Sequence, residues 1–586
     1  MLGLLAGRRL WLSVVLLWAV LLTQGSAKAA ETQDAIARHV RAVETGLLPP
    51  VGIAGTELRG RPLRARMRAL HVPGVSIAVI HDGEIAWARG FGVTRAGGPP
   101  VTPDTLFQAG SISKPVAALA VLRLVEQGAL DLDRDVNSYL TSWRVPGNRF
   151  TEQAPVTLRR LLNHTAGLTV RGFPGYGSDE SIPALIDSLE GRLPANTPAV
   201  RVEAVPGTAW RYSGGGYLIV QQALIDVTGT DFPALLKDMV LQPLGMTASS
   251  FAQPLPESRR AEAATPYDAK GAPIAGGAHS YPEMAAAGLW TTPTDLARFA
   301  IALQQARAGK QGAILGQKMA EAMLTPGLGQ WGLGLEVGDQ SGAPYFLHPG
   351  ADEGFQNLMV AYEQGDGAVI MTNSDRGLAL APEILRAIAR DYGWPDFQPP
   401  VRRVAAVDPA AYDRLAGRYA QSNGGMVRIT RAGDKLMLIG PQGREVQLLP
   451  ESELRYFHLG TSAEFVFESD MTGRVDKAAM EGRNLHMELT RLGEPHVDPT
   501  QFDLYVGRYD VGPVYSVTVS RDGDQLFLQD SDGDRHELLA DDGRRFFLED
   551  LEATITFNPE HGRAQELVWL QSGYGTTAIR RTDGKP

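Results

Sequence analysis

Apolar positions run in several distinct rhythms along this chain. From Val75 to Ile80 they are nearly continuous, break at His81-Asp82-Gly83 and resume from Ile85 to Ala88. That is the pattern of a buried strand, a tight turn and its hairpin partner. Tyr345 to Ala351 and Leu358 to Tyr362 predict a second hairpin, and Ala368 to Asn373 a further strand. Longer apolar stretches, Val116 to Val125 and Leu218 to Val227, predict buried helices, the first stopping at Gly128. Leu158 to Leu162 predicts a shorter helix ending in a Gly-containing turn, Asn163 to Leu168, and Thr291 to Phe299 reads as a capped helix start. Ile36 to Val43 and Arg59 to Met67 are helical and basic, with no chemistry to name.

The rhythm changes after a stretch rich in Pro and Arg, Pro395 to Arg403. Short alternating runs between Gly/Asp turns then recur with a period of ninety residues: Gly417-Arg418-Tyr419 returns as Gly507-Arg508-Tyr509, Gly433-Asp434 as Gly523-Asp524, and Phe467 as Phe557. This predicts two small antiparallel barrels or sheets, over 408–494 and 498–582, joined by a linker at 397–407 to a domain over 31–396. At the N-terminus, Arg8-Arg9, the apolar run Leu10 to Leu22 and Ala27-Lys28-Ala29 predict a signal peptide over 1–29. The expected location is the periplasm or the medium, with no membrane span after cleavage; an uncleaved anchor is the alternative.

Composition narrows the chemistry. A length of 586 residues implies several domains, and 44% hydrophobic with 21% charged residues is ordinary for a folded chain. A net charge of −10 leaves no electrostatic footprint for nucleic acid and no polybasic membrane patch. The absence of cysteine excludes disulfides, thiolate zinc sites and thiol catalysis. Asp131, Asp133 and Asp135 alternate as in a calcium loop, but Val136 stands where the sharp turn needs glycine. No metal and no cofactor are expected. The expected partner is a small-molecule ester, amide or peptide, with a homo-oligomer left open.

The candidate chemistry starts at Gly110-Ser111-Ile112-Ser113-Lys114-Pro115, which opens the first apolar helix. Residues three apart share a helix face, so Lys114 stands one turn above Ser111. A serine hydroxyl needs a proton acceptor to attack a carbonyl, and a lysine neutralised by burial can serve. A bare Ser-x-x-Lys match is weak. Gly214-Gly215-Gly216, between Tyr212 and Tyr217, suits either a cleft wall or a plain flexible turn. His164 is expected to be a structural hydrogen-bonding residue.

Four segments together carry more. Ser111-Ile112-Ser113-Lys114, His164-Thr165-Ala166-Gly167-Leu168, Tyr212-Ser213-Gly214 and His348-Pro349-Gly350 stand in the order and spacing of the penicillin-recognising serine hydrolases. Over about residues 35 to 390 the chain resembles the class C β-lactamase relatives: esterases, D-aminopeptidases and DD-peptidase-like proteins. The resemblance implies an α+β fold, a β-lactamase/transpeptidase-like domain with an antiparallel sheet flanked by helices beside a helical lobe. With two C-terminal β domains the architecture resembles that of D-aminopeptidase, whose added domains are lipocalin-like barrels. It further implies Ser111 as nucleophile, Lys114 and Tyr212 sharing the proton traffic, and His348 beside them. The backbone N–H groups of Ser111 and Ala351 would form the oxyanion hole, and Gly214 and Gly350 would border the substrate.

The implied activity is that of a secreted serine acyl-hydrolase working through a covalent acyl-enzyme, on esters or small amides such as D-amino-acid peptides. A DD-peptidase or weak β-lactamase is one alternative, and a catalytically impaired binding or sensor protein that keeps the fold is another. Two departures bear on the choice. His348 replaces the lysine of Lys-Thr-Gly, and Gly214 the asparagine of Tyr-x-Asn, which both argue away from antibiotic hydrolysis. Pro349 sets a condition: if Ala351 donates into the cleft, Pro349, which has no N–H, must lie on the same open edge.

Overall fold

The structure is a computed structural model that describes residues 33–581, apart from 441–442, 483–484, 496–497, 512–514, 531–532, 560–561 and 572. The predicted signal segment lies outside the described residues. A six-stranded sheet organises the first domain: β1 (Gly74–His81), β2 (Glu84–Gly92), β3 (Glu336–Gly338), β4 (Tyr345–Asp352), β5 (Phe355–Tyr362) and β6 (Gly367–Thr372). Their order is β2-β1-β6-β5-β4-β3, every neighbour antiparallel. Side chains alternate across β1. Val75, Ile77 and Val79 pack with Leu380, Ile384 and Ile388 of the Gly377–Asp391 helix, whereas Ala78 and Ile80 join the core of the helical side. Because both faces are covered, the strands read as apolar runs rather than as an alternation.

The helical side carries the chemistry. Helix α1 (Ser113–Glu126) is buried along almost its whole length, from Ser113 through Leu122. Ser111 sits just before it, in a 3-10 turn over Gly110–Ile112, so the reactive segment is a turn leading into the helix. Thr157 caps α2 (Leu158–Leu162) by accepting the Arg160 N–H. The three consecutive glycines form the first turn of α3 (Gly214–Thr228) and are not a flexible loop. Ser213 caps them by accepting the Gly216 N–H, and Gly229 ends the helix with φ +65°. The first two are glycines for want of room, since a Cβ on Gly214 would stand 2.8 Å from the Phe173 ring and one on Gly215 2.9 Å from Val200. Helices α4 (Met284–Ala287) and α5 (Pro293–Arg307) follow, with Thr292 capping α5 through the Asp295 N–H as its sequence predicts.

The repeated region forms two closed eight-stranded barrels. The first strand of each, Gly417–Gln421 and Gly507–Asp510, pairs with the last, Leu485–Arg491 and Tyr574–Arg580. The repeated residues build equivalent parts. Tyr419 Oη donates to Leu415 O at 2.8 Å and Tyr509 Oη to Tyr505 O at 2.7 Å, while Asp408 and Asp498 cap the turns that precede them. Aromatic side chains fill both interiors, Tyr456, Phe465 and Phe467 in one and Tyr505, Phe546 and Phe557 in the other. Within the linker, Val401–Arg402 pairs in parallel with Gly52–Ile53, and Arg402 is held by Glu451 and Glu464 of the first barrel. The join is therefore pinned at both ends. Among the described residues no helix is long and apolar enough to cross a membrane.

Candidate active site

Two backbones meet at the centre of the site, and glycine is what lets them. Gly110 has φ +56°, and a Cβ there would stand 2.4 Å from the Ala351 nitrogen; a Cβ on Gly350 would fall 1.9 Å from Ala109 O. No larger residue fits at either point. The turn that carries Ser111 is thereby pressed against β4 at Gly350-Ala351. The direction of the β4 amides follows from its pairing. The Glu363 N–H donates to Pro344 O, which turns the even-numbered residues of β4 toward β5 and the odd-numbered ones toward the opposite edge. On that edge β3 pairs only as far as Leu347. Pro349 and Ala351 therefore face an open edge beside the Ser111 turn, and the missing proline N–H breaks no ladder. The next residue, Asp352, is buried and accepts the Gly110 N–H, which holds the turn from below.

Lys114 is 2% exposed. Its Nζ lies 3.0 Å from Ser111 Oγ and donates to Ala286 O of α4 at 2.8 Å. Burial penalises the ammonium form and pulls the Lys114 pKa down from 10.5 to about 7, with Asp352 opposing the shift. Near neutrality a large fraction of Lys114 is the free amine, next to the serine hydroxyl. Tyr212 supplies the other wall, its ring centroid 5.1 Å from Lys114 Nζ. Ser111 and Tyr212 are half-buried and Ala351 is exposed, so these three border the open side of a site whose base is closed.

Two histidines pack around Tyr212, and their hydrogen bonds define their tautomers. His164 packs against Tyr212 with ring centroids 4.2 Å apart and planes tilted by 33°, and its Nδ1 accepts the Ser213 N–H at 3.1 Å, so its proton sits on Nε2. Its predicted structural part matches this placement. His348 Nδ1 lies 2.5 Å from Pro349 O, an acceptor, so Nδ1 carries the proton and Nε2 presents a lone pair. Burial, then the charge on Lys114, push the His348 pKa down to about 3, so the ring is neutral at physiological pH. Trp331 packs edge-on against both histidines at 5.2 and 5.4 Å.

The structure thus brings Ser111, Lys114, Tyr212, His348, Gly350 and Ala351 together. Gly214 stands apart in role: its N–H donates to Arg171 O and Phe173 covers the place where a side chain would project, so it offers a substrate nothing there. Trp331 and Asp352 belong to the site without having been singled out from the sequence. Asp352 follows the His-Pro-Gly-Ala run directly and could have been found from it; Trp331 lies in a loop with no local signal.

The fold and the site define a class. The chain belongs to the beta-lactamase family, whose profile matches residues 61–392, more than half of its length. It is a serine hydrolase of the β-lactamase and penicillin-binding protein superfamily. Esterase EstB of Burkholderia gladioli is 35% identical over 199 residues, covering 33% of this chain and 50% of the esterase. Penicillin-binding protein 4 of Amycolatopsis lactamdurans is 27% identical over 381 residues, 60% of this chain and 94% of that protein. The octameric penicillin-binding protein homologue from Pyrococcus abyssi shares the fold, with TM-score 0.51 and 23% identity over 73% of this chain and 98% of that one.

Proposed function

We propose that the protein is a secreted acyl-hydrolase that cleaves esters or small amides, including D-amino-acid peptides, through a covalent Ser111 ester. The observation that carries the reading is the 3.0 Å contact between Ser111 Oγ and a lysine whose pKa lies near 7. In the proposed step the neutral Lys114 amine accepts the Ser111 hydroxyl proton as Oγ bonds to the substrate carbonyl carbon. The carbonyl oxygen becomes an oxyanion, stabilised by the N–H groups of Ser111 and Ala351. Collapse of that intermediate breaks the bond to the alcohol or amine, which departs with a proton delivered by way of Lys114 and Tyr212. Water then repeats the sequence on the acyl-enzyme.

His348 favours this substrate class over β-lactams and peptidoglycan stems. A lysine at that position would anchor a substrate carboxylate by its charge, whereas neutral His348 presents only a lone pair. The test is labelling with a fluorophosphonate probe at pH 8, on the wild type and on Ser111→Ala. Label on the former and none on the latter is expected; no Ser111-dependent label sinks the catalytic assignment. Turnover of short-chain nitrophenyl esters, D-alanine nitroanilide and nitrocefin then sorts the substrates, with nitrocefin expected to be the slowest.

A further inference from the structure

A cavity of about 360 Å³ is lined by neither Ser111 nor Tyr212. Its wall carries opposite charges that do not meet. Arg260 and Glu180 both line it, yet they form no ion pair with each other, and the Arg260 side chain has no hydrogen-bond or ion-pair partner among the described residues. Glu180 is fixed in place, because its carboxylate accepts the Gly177 N–H at 2.6 Å. The same wall carries apolar surface from Ile182, which is 42% exposed, and from buried Leu255. Trp290, 3% exposed, lines the cavity too, and its Nε1–H has no acceptor among the described residues. That nitrogen is itself closed off, so Trp290 serves the cavity as an apolar wall.

We infer that this cavity is a binding site for a small zwitterion with an apolar side chain, an amino acid or the terminal residue of a short peptide. The carboxylate pairs with the Arg260 guanidinium, a fork that suits two carboxylate oxygens. The ammonium pairs with Glu180, and the side chain covers Ile182 and Leu255. A simple anion leaves Glu180 repelling it and a simple cation leaves Arg260 doing the same, so the paired charges select for a ligand that bears both. The volume suits such a ligand, standing at the low end of the range for small-molecule sites. The assignment is independent of the proposed Ser111 chemistry.

The experiment uses the full-length chain labelled with 5-fluorotryptophan and follows the Trp290 fluorine resonance, assigned with Trp290→Phe, as leucine, 4-methylpentanoate or 3-methylbutylamine is added. Leucine is expected to shift that resonance saturably, and the two singly charged analogues to bind at least about tenfold more weakly. Arg260→Glu and Glu180→Gln, both at exposed positions, should each weaken leucine binding while leaving fluorophosphonate labelling of Ser111 unchanged. Calorimetric titration of leucine into the unlabelled protein supplies a second reading that does not depend on folding of the Trp290 variant. Absence of saturable leucine binding by both methods, equal affinity for all three probes, or full affinity in Arg260→Glu would overturn the assignment.

Discussion

Replacing Lys114 with methionine should make the protein more stable at pH 6 while abolishing acylation, and the change in stability should depend on pH in a calculable way. Folding buries Lys114 in a site that lowers its pKa from 10.5 to about 7. The unfolded chain therefore holds that proton more tightly than the folded chain does. Below pH 7 both states are protonated and the folded state carries the full burden, about 5 kcal/mol at pH 6. Between pH 7 and 10.5 the folded chain has released the proton while the unfolded chain still binds it, so stability rises with pH and the burden shrinks to about 1 kcal/mol at pH 10. Methionine has a similar length and no charge. It leaves Ala286 O without its donor, a loss of about 1–3 kcal/mol that is the same at both pH values and cancels in the comparison. The advantage of Lys114→Met over wild type should then be about 4 kcal/mol larger at pH 6 than at pH 10. Over the 332 residues of the family-matched segment, at about 2.1 cal/mol/K each, that is a difference of about 6 °C in the shift of Tm. Tryptophan fluorescence reads this domain, because every described tryptophan except Trp569 precedes residue 400. Thermal melts of both proteins at the two pH values supply the four numbers needed. A shift of equal size at both, or a larger one at pH 10, would refute the picture of a buried amine neutralised by its surroundings.

The same ionisation should set the pH–rate profile of acyl-enzyme formation. The rate should rise through about pH 7 as Lys114 loses its proton, with no inflection from His348 above its value of about 3; stopped-flow labelling across pH 5–9 checks this, and a flat profile counts against Lys114 as the proton acceptor. Gly350→Ala forces a methyl group to within 1.9 Å of Ala109 O, so it should destabilise the first domain by about 1–3 kcal/mol and slow acylation by more than about tenfold as Ala351 is pushed from the Ser111 turn. Melts and labelling rates on the one variant test both effects. Tyr509→Phe removes a hydroxyl that donates to Tyr505 O and accepts from the Arg580 guanidinium, and should cost the second barrel about 2–4 kcal/mol, with Ser111 labelling unchanged. Urea unfolding followed at Trp569, which lies in that barrel, supplies the measurement.

What the sequence made legible was local periodicity and order. The Val75–Ile80 strand, the Leu218–Val227 helix and the Thr292 cap all appear where their patterns place them, because burial on one or both faces writes a period into a dozen residues. The repeat likewise announced two equal β units, but not that each closes, since closure depends on Gly417–Gln421 meeting Leu485–Arg491 some seventy residues away. Contacts between distant backbones left no local trace. The two-residue parallel pairing of Gly52–Ile53 with Val401–Arg402 turns a Pro/Arg-rich linker into a fixed joint through residues that look ordinary at either end. Gly110 and Gly350 read as routine motif glycines until the crossing they permit is seen. The glycines at 214–216 misled for the opposite reason: their composition says loop, and the Ser213 cap together with the crowding of Phe173 and Val200 makes them helix.

His348 and Lys114 are better understood as one electrostatic unit than as two motif positions. Both are buried beside Tyr212, and two protonated cations there would repel in a medium that screens them poorly. The charge on Lys114 accordingly helps push His348 down, and the His348 proton that remains is tied to Pro349 O. A fixed second cation would make a neutral Lys114 easier to reach but would raise the total burden of buried charge. A neutral imidazole instead leaves burial as the dominant cause of the Lys114 shift, with Asp352 as the opposing influence. The site can therefore supply a basic amine near pH 7 without a neighbouring cation, and it gives up electrostatic anchoring of a substrate carboxylate in the same step. The neutral histidine thus has two consequences at once: it leaves the amine beside Ser111 free of a second cation, and it offers a substrate carboxylate no charge to pair with.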